Sequence, residues 1–290
     1  MLLCGFRDLV ERLIAAQSPD VNIRGGSHTT ALHAASVKGH FEVALLLVKN
    51  GADPSSRDDV GRAPLHRLSH GGPLVMAQSS LEVARLLVNS GADASVTDDE
   101  GRTPLHLAAR RGYRDVVELS LESGASLDVR CDEQWTPLHM ACVNGKLDVS
   151  PFLIDRGSDV DSRDEVGSTQ LRMVARFGQI DIARLLINCG SDAIIRAADR
   201  RTPLHYVSMY GRLDLARLLI DSGADVDVYD SILWTPMHYS SNAGNLDIAK
   251  LLVERGANIY NQNNKDETSL HRSARDGCLA SRKRFVGIFL

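Results

Sequence analysis

Ten histidines and five cysteines are the residues of this 290-residue sequence best suited to hold a metal or to activate a nucleophile. Seven of the histidines, His33, His66, His106, His139, His205, His238 and His271, each close a tetrapeptide that reads Thr-Pro-Leu-His in its commonest form. A protein zinc site needs four N, S or O ligands converging on one point. These imidazoles come one per copy, and no Cys or carboxylate recurs beside them to complete a shell, so the pattern predicts capping and packing and no metal. Cys4, Cys131, Cys142, Cys189 and Cys278 are odd in number, scattered, and free of any CxxC pair. Cys142 and Cys189 fall on or near packed helices with no organised base, which predicts buried thiols and not nucleophiles. The phosphate loop, the HExxH helix, the GxSxG elbow and the kinase set are all absent. The expectation is a protein that is not an enzyme and carries no cofactor.

Bulk properties narrow the partners. The 33 Lys plus Arg against 37 Asp plus Glu leave a formal charge of −4, so no overall field draws the chain to phosphate backbones or anionic lipid. Nucleic acid, membrane insertion and a small-molecule substrate are not expected. With 43% apolar residues the chain has ample material for a core. Unpaired, scattered cysteines favour a reducing compartment. Leu2 to Phe6 is too short for the core of a signal peptide, and Ala44 to Val48 too short for a membrane span. The localisation expected is intracellular, in the cytoplasm or with the nucleus as the alternative.

The elements that position these residues emerge from self-similarity. Copies of the tetrapeptide begin at Thr30, Ala63, Thr103, Thr136, Thr169, Thr202, Thr235 and Thr268, with a step of 33 residues in six of seven intervals. The exception, Ala63 to Thr103, is 40 residues, and its seven extra residues fall around His70 to Ser80, inside one repeat. A second signature follows each copy, as in Gly51-Ala-Asp53, Gly91-Ala-Asp93, Gly157-Ser-Asp159 and Gly223-Ala-Asp225. Thr103, Thr136, Thr202 and Thr235 suit a helix N-cap, because the hydroxyl accepts from an orphan backbone N–H, and Pro suits the first helical position. His106, His139, His205 and His238 complete these structural caps. Small pairs such as Ala34-Ala35 and Ala108-Ala109 allow close approach, and Gly39, Gly112, Gly145, Gly178, Gly211 and Gly244 close the short first helix. A second helix follows, with apolar stripes such as Leu81-x-Val83-Ala84-x-Leu86-Leu87 and Leu246-x-Ile248-Ala249-x-Leu251-Leu252. The next Gly supplies a left-handed C-cap, and segments such as Asp58 to Arg62 and Asp98 to Arg102 are turn tips leading to the next Thr.

Two motifs on one 33-residue period resemble the ankyrin-repeat family over nearly the whole chain. The resemblance implies an all-α repeat protein, an ankyrin α-solenoid of helix-turn-helix units joined by β-hairpin-like loops. The expected organisation is one domain over 1–290, an elongated right-handed stack of seven to eight repeats held up by neighbour contacts. Its parts are a partial repeat at 1–26, full repeats at 27–59, 60–99 with the insertion, 100–132, 133–165, 166–198, 199–231 and 232–264, and a degenerate repeat and tail at 265–290.

The pattern weakens in places. The repeat at 166–198 carries Gln170 and Arg172 in place of Pro and His, and Met173-Val174 in place of small residues, so its first helix is expected to be the poorest packed. Pro151 falls inside the second helix of the repeat at 133–165, which predicts a kink or a late start. The array begins mid-repeat, with Leu13-Ile14 and Ser18-Pro19-Asp20 in register, and it ends without a polar capping repeat, as expected of a fragment or alternative product of something longer. Arg282 to Arg284 reads as a localisation signal or a solvated tail, and the insertion with Gly71-Gly72-Pro73 as a second contact loop or a neutral loop.

In the family, partners are usually gripped by the tips and the exposed end of the first helix, the concave face. Mapped onto this sequence, that face has Arg102, Arg110, Arg111, Trp135, Asn144 and Arg176. It continues with Phe177, Arg201, Met209, Tyr210, Trp234 and Asn242. The tips add Asp99, Glu100, Asp132, Glu133, Glu165 and Asp199. Arg and aromatic residues are those that binding hot spots favour. Trp135 and Trp234 have two readings, contact with a partner or packing on the adjoining tip. The function expected is an adaptor or scaffold, a monomer that binds another protein or peptide. The alternative is a recognition or autoinhibitory segment of a larger signalling or immune-type receptor.

Overall fold

In a computed structural model the described residues are 2–17, 20–26, 29–70 and 78–275. Residues 71–77 of the insertion, Ser18-Pro19, Gly277, Cys278 and everything in the tail from Arg282 onward lie outside them. Sixteen helices account for the regular structure of the described residues, apart from one isolated antiparallel bridge between Gln262 and Thr268. The fold is an all-α repeat. The chain divides into two compact units, Met1–Ser158 and Asp159–Leu290.

In the first unit a single helix, α1 (Leu2–Gln17), precedes four helix pairs. These are α2 (Ala31–Lys38) with α3 (Phe41–Lys49), α4 (Pro64–His70) with α5 (Gln78–Asn89), α6 (Pro104–Arg111) with α7 (Arg114–Glu122), and α8 (Pro137–Val143) with α9 (Ser150–Asp155). First helices pack in sequence, α2 on α4, α4 on α6 and α6 on α8, and second helices form a parallel row, α1 on α3, α3 on α5 and α5 on α7. The tetrapeptide leucines Leu32, Leu65, Leu105 and Leu138 lie between first helices with at most 1% of their surface exposed. Val83, Leu87, Val116 and Leu153 do the same between the rows. Each fully buried leucine contributes roughly 1.5–3 kcal/mol.

The second unit repeats the plan with α10 (Gln170–Phe177) and α11 (Ile180–Asn188), α12 (Pro203–Tyr210) and α13 (Leu213–Asp221), α14 (Pro236–Ala243) and α15 (Leu246–Glu254), and a last first helix, α16 (Ser269–Arg275). Helices α10, α12, α14 and α16 pack in sequence, and α11, α13 and α15 form the second row. Leu171, Leu204 and Met237 occupy the buried tetrapeptide position, whereas Leu270 of α16 keeps 41% of its surface exposed.

The first helices are short because a left-handed glycine stops them, as Gly211 does at φ +73°. A Cβ there would lie 2.9 Å from Asn245 Oδ1, and the amide of Asn245 donates to the carbonyls of Ser208 and Met209. The stop in one repeat is thus the socket for a side chain of the next. Tips are closed by a backbone bond across the turn, Asp98 N–H to Arg102 O at 2.8 Å, and by the Asp98 carboxylate accepting from Glu100 and Arg102 N–H. Successive tips are joined by single backbone bonds, Asp99 to Val60 and Asp132 to Glu100 in the first unit, and Ala198 to Val166, Ser231 to Asp199 and Asn264 to Ile232 in the second.

Pro151 acts as its position demands. Helix α9 starts at Ser150 and has 6 residues, where the equivalent α7, α11, α13 and α15 have 9. The chain turns through residues 147–149 first, which places Pro at the start of the helix where its missing N–H costs nothing. The repeat at 166–198 is a correction to the sequence reading. Its first helix, α10, buries Gln170 through Ala175 without interruption. Gln170 Nε2 replaces the missing Pro by donating to Asp159 O and Ser162 Oγ. Arg172 fills the histidine place and donates to Ser168 Oγ and Asp199. Substitution here exchanged one set of hydrogen bonds for another without loosening the packing, although Thr169 Oγ1 and Gln170 Oε1 are left with no partner among the described residues.

Candidate functional site

The histidines are spent on the fold, and their bonds show how. In the caps at Thr103, Thr136, Thr202 and Thr235 the threonine backbone N–H donates to the imidazole Nδ1 of His106, His139, His205 and His238 at 3.1–3.2 Å. The threonine hydroxyl lies 2.9–3.0 Å from the same nitrogen. Since Nδ1 accepts, the ring proton sits on Nε2. That proton is donated to a backbone carbonyl of the following repeat, His33 to Arg62, His66 to Arg102 and His106 to Trp135 in the first unit, and His205 to Trp234 and His238 to Glu267 in the second. An imidazole bonded at both nitrogens has no lone pair for a metal. Burial holds these rings neutral, lowering His33, His106 and His238 and taking His66 and His205 to about 4.

Each tetrapeptide helix ends beside a tip, and in the first unit the two form a cleft of about 290 Å³. Arg110 comes from the last turn of α6, Met140, Val143 and Asn144 from the end of α8, Glu100 and Arg102 from one tip, and Glu133 and Trp135 from the next. Four of the five residues expected on this face in the first unit, Arg102, Arg110, Trp135 and Asn144, therefore line one cleft. Arg111 is exposed outside it. Trp135 is half-buried and stacks on His139 with ring centroids 6.3 Å apart.

Arg102 is a correction. Only 6% of its surface is exposed, and its guanidinium donates to Asp98 at 2.8 Å and to Glu100 at 2.6 Å. Burial alone would lower its pKa, but the Asp98 carboxylate overrides that and raises it. Arg102 serves as a tip brace that shapes the cleft wall. A partner would have to break those bonds to use it.

In the second unit the expected residues divide into two sets. Arg201 pairs with Asp230 at 3.3 Å and Asp199 at 3.6 Å and lies over the Tyr239 ring. Tyr239 donates to Asp230 at 2.7 Å and packs on Trp234 at 4.9 Å between centroids. Arg272 covers the other partner ring, Trp234, at 4.8 Å and donates to Asn242 Oδ1. Arg201, Trp234 and Asn242 are thus committed to an internal network, and Trp234 takes its packing reading. The remaining set sits at helix ends: Arg176 over Phe177 at 5.6 Å closing α10, and Met209 with Tyr210 closing α12, Tyr210 stacked on Tyr206. Phe177 and Tyr210 keep 48% and 43% of their surfaces exposed.

A family model described as ankyrin repeats, in 3 copies, matches residues 1–78, 74–164, 151–230 and 171–263. The chain belongs to the ankyrin-repeat family. Ankyrin repeats generally mediate protein–protein interaction. A curated relative, protein phosphatase 1 regulatory subunit 27 of Mus musculus, is 40% identical over 62 residues. That stretch covers 21% of this chain and 40% of the mouse protein, so the likeness spans less than half of that relative. Among the described residues of this ankyrin protein, no helix is long and apolar enough to cross a membrane.

Three buried acids, Asp58, Asp98 and Asp230, organise the ankyrin tips, a role not singled out from the sequence. Their signal is the spacing of an Asp four residues before the residue that precedes the tetrapeptide, as in Asp98 to Arg102 and Asp230 to Trp234. Of the cysteines, Cys142 is fully buried and burial pushes its thiol up to about 12. Cys131 is buried too, pushed up to about 11 by burial and by Glu133, to which it donates. Cys189 is exposed, which corrects the expectation: it is the C-cap of α11, outside the apolar stripe.

Proposed function

We propose that this chain is an intracellular adaptor or scaffold, not an enzyme, that captures a partner protein on the ends of its first helices and on its tips. Seven to eight repeats serve as its frame. The observation that carries the reading is the convergence of Arg110, Trp135 and Asn144 on one cleft, with Arg102 locked behind them. Exposed Arg176, Phe177 and Tyr210, with half-buried Met209, at the ends of α10 and α12 add aromatic and cationic area of the kind hot spots use. The local likeness to a phosphatase regulatory subunit supports a role in which the bound partner is regulated or localised. No side chain of the cleft is poised as a base or nucleophile, and its shallow form suits a peptide surface better than a small substrate.

Proximity labelling in the native cell, followed by capture with purified chains, tests this. The triple variant Arg110→Ala, Phe177→Ala, Tyr210→Ala is expected to lose the labelled partner with its helical content unchanged. A control triple on exposed second-helix positions, Arg85→Ala, Arg184→Ala, Arg217→Ala, is expected to keep it. Equal capture by both would remove the assignment.

A further inference from the structure

The charges around the first unit's cleft are not equally available, and that inequality specifies a ligand. Arg102 and Glu100 neutralise each other, with Asp98 behind them. Two charges remain. Arg110 on the α6 wall is exposed and has no ion-pair partner among the described residues, and Glu133 on the tip, also exposed, accepts from the Cys131 thiol but pairs with no cation there. Trp135, Met140 and Val143 lie in the same lining and supply its apolar surface. The cleft therefore presents a cation, an apolar surface and an anion, each in want of a complement.

We infer that the cleft takes an extended segment of a partner protein carrying an acidic, an apolar and a basic side chain at alternate positions, the acid meeting Arg110 and the base meeting Glu133. Alternation follows from strand geometry: residues i, i+2 and i+4 of an extended peptide point to one side. The central apolar side chain lies on Trp135 and Met140, excluding water from the two flanking ion pairs and so strengthening both. A volume of about 290 Å³ holds one such anchor and parts of its neighbours, not a folded element. Arg110 and Glu133 then act chiefly as selectors, because a like charge placed against either costs more than the correct pair contributes.

This inference rests on the partner-capture reading, and its test separates the two. Three blocked synthetic peptides serve as probes, with cores Asp-Ser-Leu-Ser-Lys, Asp-Ser-Leu-Ser-Asp and Lys-Ser-Leu-Ser-Lys. Binding is read in the Trp234→Phe chain, where Trp135 is the sole indole, and by calorimetry on the unmodified chain should that variant be poorly folded. The mixed peptide is expected to bind about tenfold more tightly than either like-charged one and to shift Trp135 emission. Arg110→Glu should transfer the preference to the Lys/Lys peptide, and Glu133→Arg to the Asp/Asp peptide. Equal affinity for all three probes, absence of binding by any, or preferences unmoved by the two variants would overturn the inference. If partner capture is nonetheless lost in the triple variant described above, the adaptor reading stands while this ligand assignment falls.

Discussion

At the scale of single residues, the imidazoles are the clearest case of chemistry given over to architecture. His33, His66, His106, His205 and His238 each accept at one nitrogen and donate at the other, so protonation must break a cap and a bond between repeats together. Their pKa is lowered in the folded chain relative to about 6.5 unfolded, so the unfolded state binds more protons below that value. The stabilisation is complete above pH 6.5 and is lost as pH falls toward 4. His66 and His205 alone should each forfeit about 1–2 kcal/mol between pH 7.5 and pH 5. Urea unfolding at the two pH values checks this, and the variant His66→Gln, His205→Gln should show a smaller difference between its midpoints. The buried acids give a second expectation. Asp98→Ala leaves Arg102 buried beside Glu100 only and should cost about 3 kcal/mol, as removal of one partner of a buried pair does. Adding Arg102→Met to that variant should recover most of the loss in thermal unfolding.

Individual residues also show where the sequence was readable. The histidine caps follow from Thr-x-x-His alone, since the spacing brings the ring back onto the threonine. The burial of Arg102 is not legible locally, because its exposure depends on Asp98, four residues earlier across a turn, and a tip residue that looks solvent-facing is buried once that acid pairs with it. Trp234 required a contact from α14 (Tyr239) and another from α16 (Arg272), which no local pattern announces. Cys189 had a legible signal: the same place before the Gly holds Asn50, Ser90, Ser123 and Ser222, all polar.

At the scale of elements, a helix here is as long as its punctuation allows. Gly at the end of the first helix and Gly of the Gly-Ala-Asp signature fix the boundaries, and these were legible because only glycine adopts φ near +90° at little cost. Pro151 is the exception that the sequence also announced. Pro151→Lys, the residue found at the equivalent position 250, should let the second helix start near Leu147 and add about 1–2 kcal/mol, part of the roughly 3 kcal/mol that an interior proline costs. Amide exchange across 147–153 should slow accordingly; unchanged exchange would mean that the turn there has another cause. Tips carry a comparable strain. Leu233 holds φ +58° with 44% of its surface exposed. Leu233→Gly should stabilise the second unit by about 0.5 kcal/mol, the strain relieved being partly offset by the entropy of the unfolded glycine. Helix α10 is the lesson in what periodicity cannot tell: an array of Gln170 and Arg172 bonds replaced the usual cap, and hydrogen bonding of that kind depends on tip geometry rather than on residue class.

At the scale of the molecule, each pair of helices within a unit touches chiefly the pairs beside it, so stability there is a sum of local terms. Leu204→Ala, which opens a cavity costing about 2–5 kcal/mol, should raise amide exchange in α12 and its neighbours α10 and α14 while α2 to α5 keep their protection. Such a frame leaves outward side chains free to differ, which is why the sequence delivers the frame and a list of outward positions but not the partner. The most direct measurement of partner capture is a photo-crosslinking scan in cells. A photoreactive residue placed at 144, 177 or 210 should give one discrete adduct common to all three positions, and at 85, 184 or 217 none. Adducts confined to the second-helix positions would contradict the account.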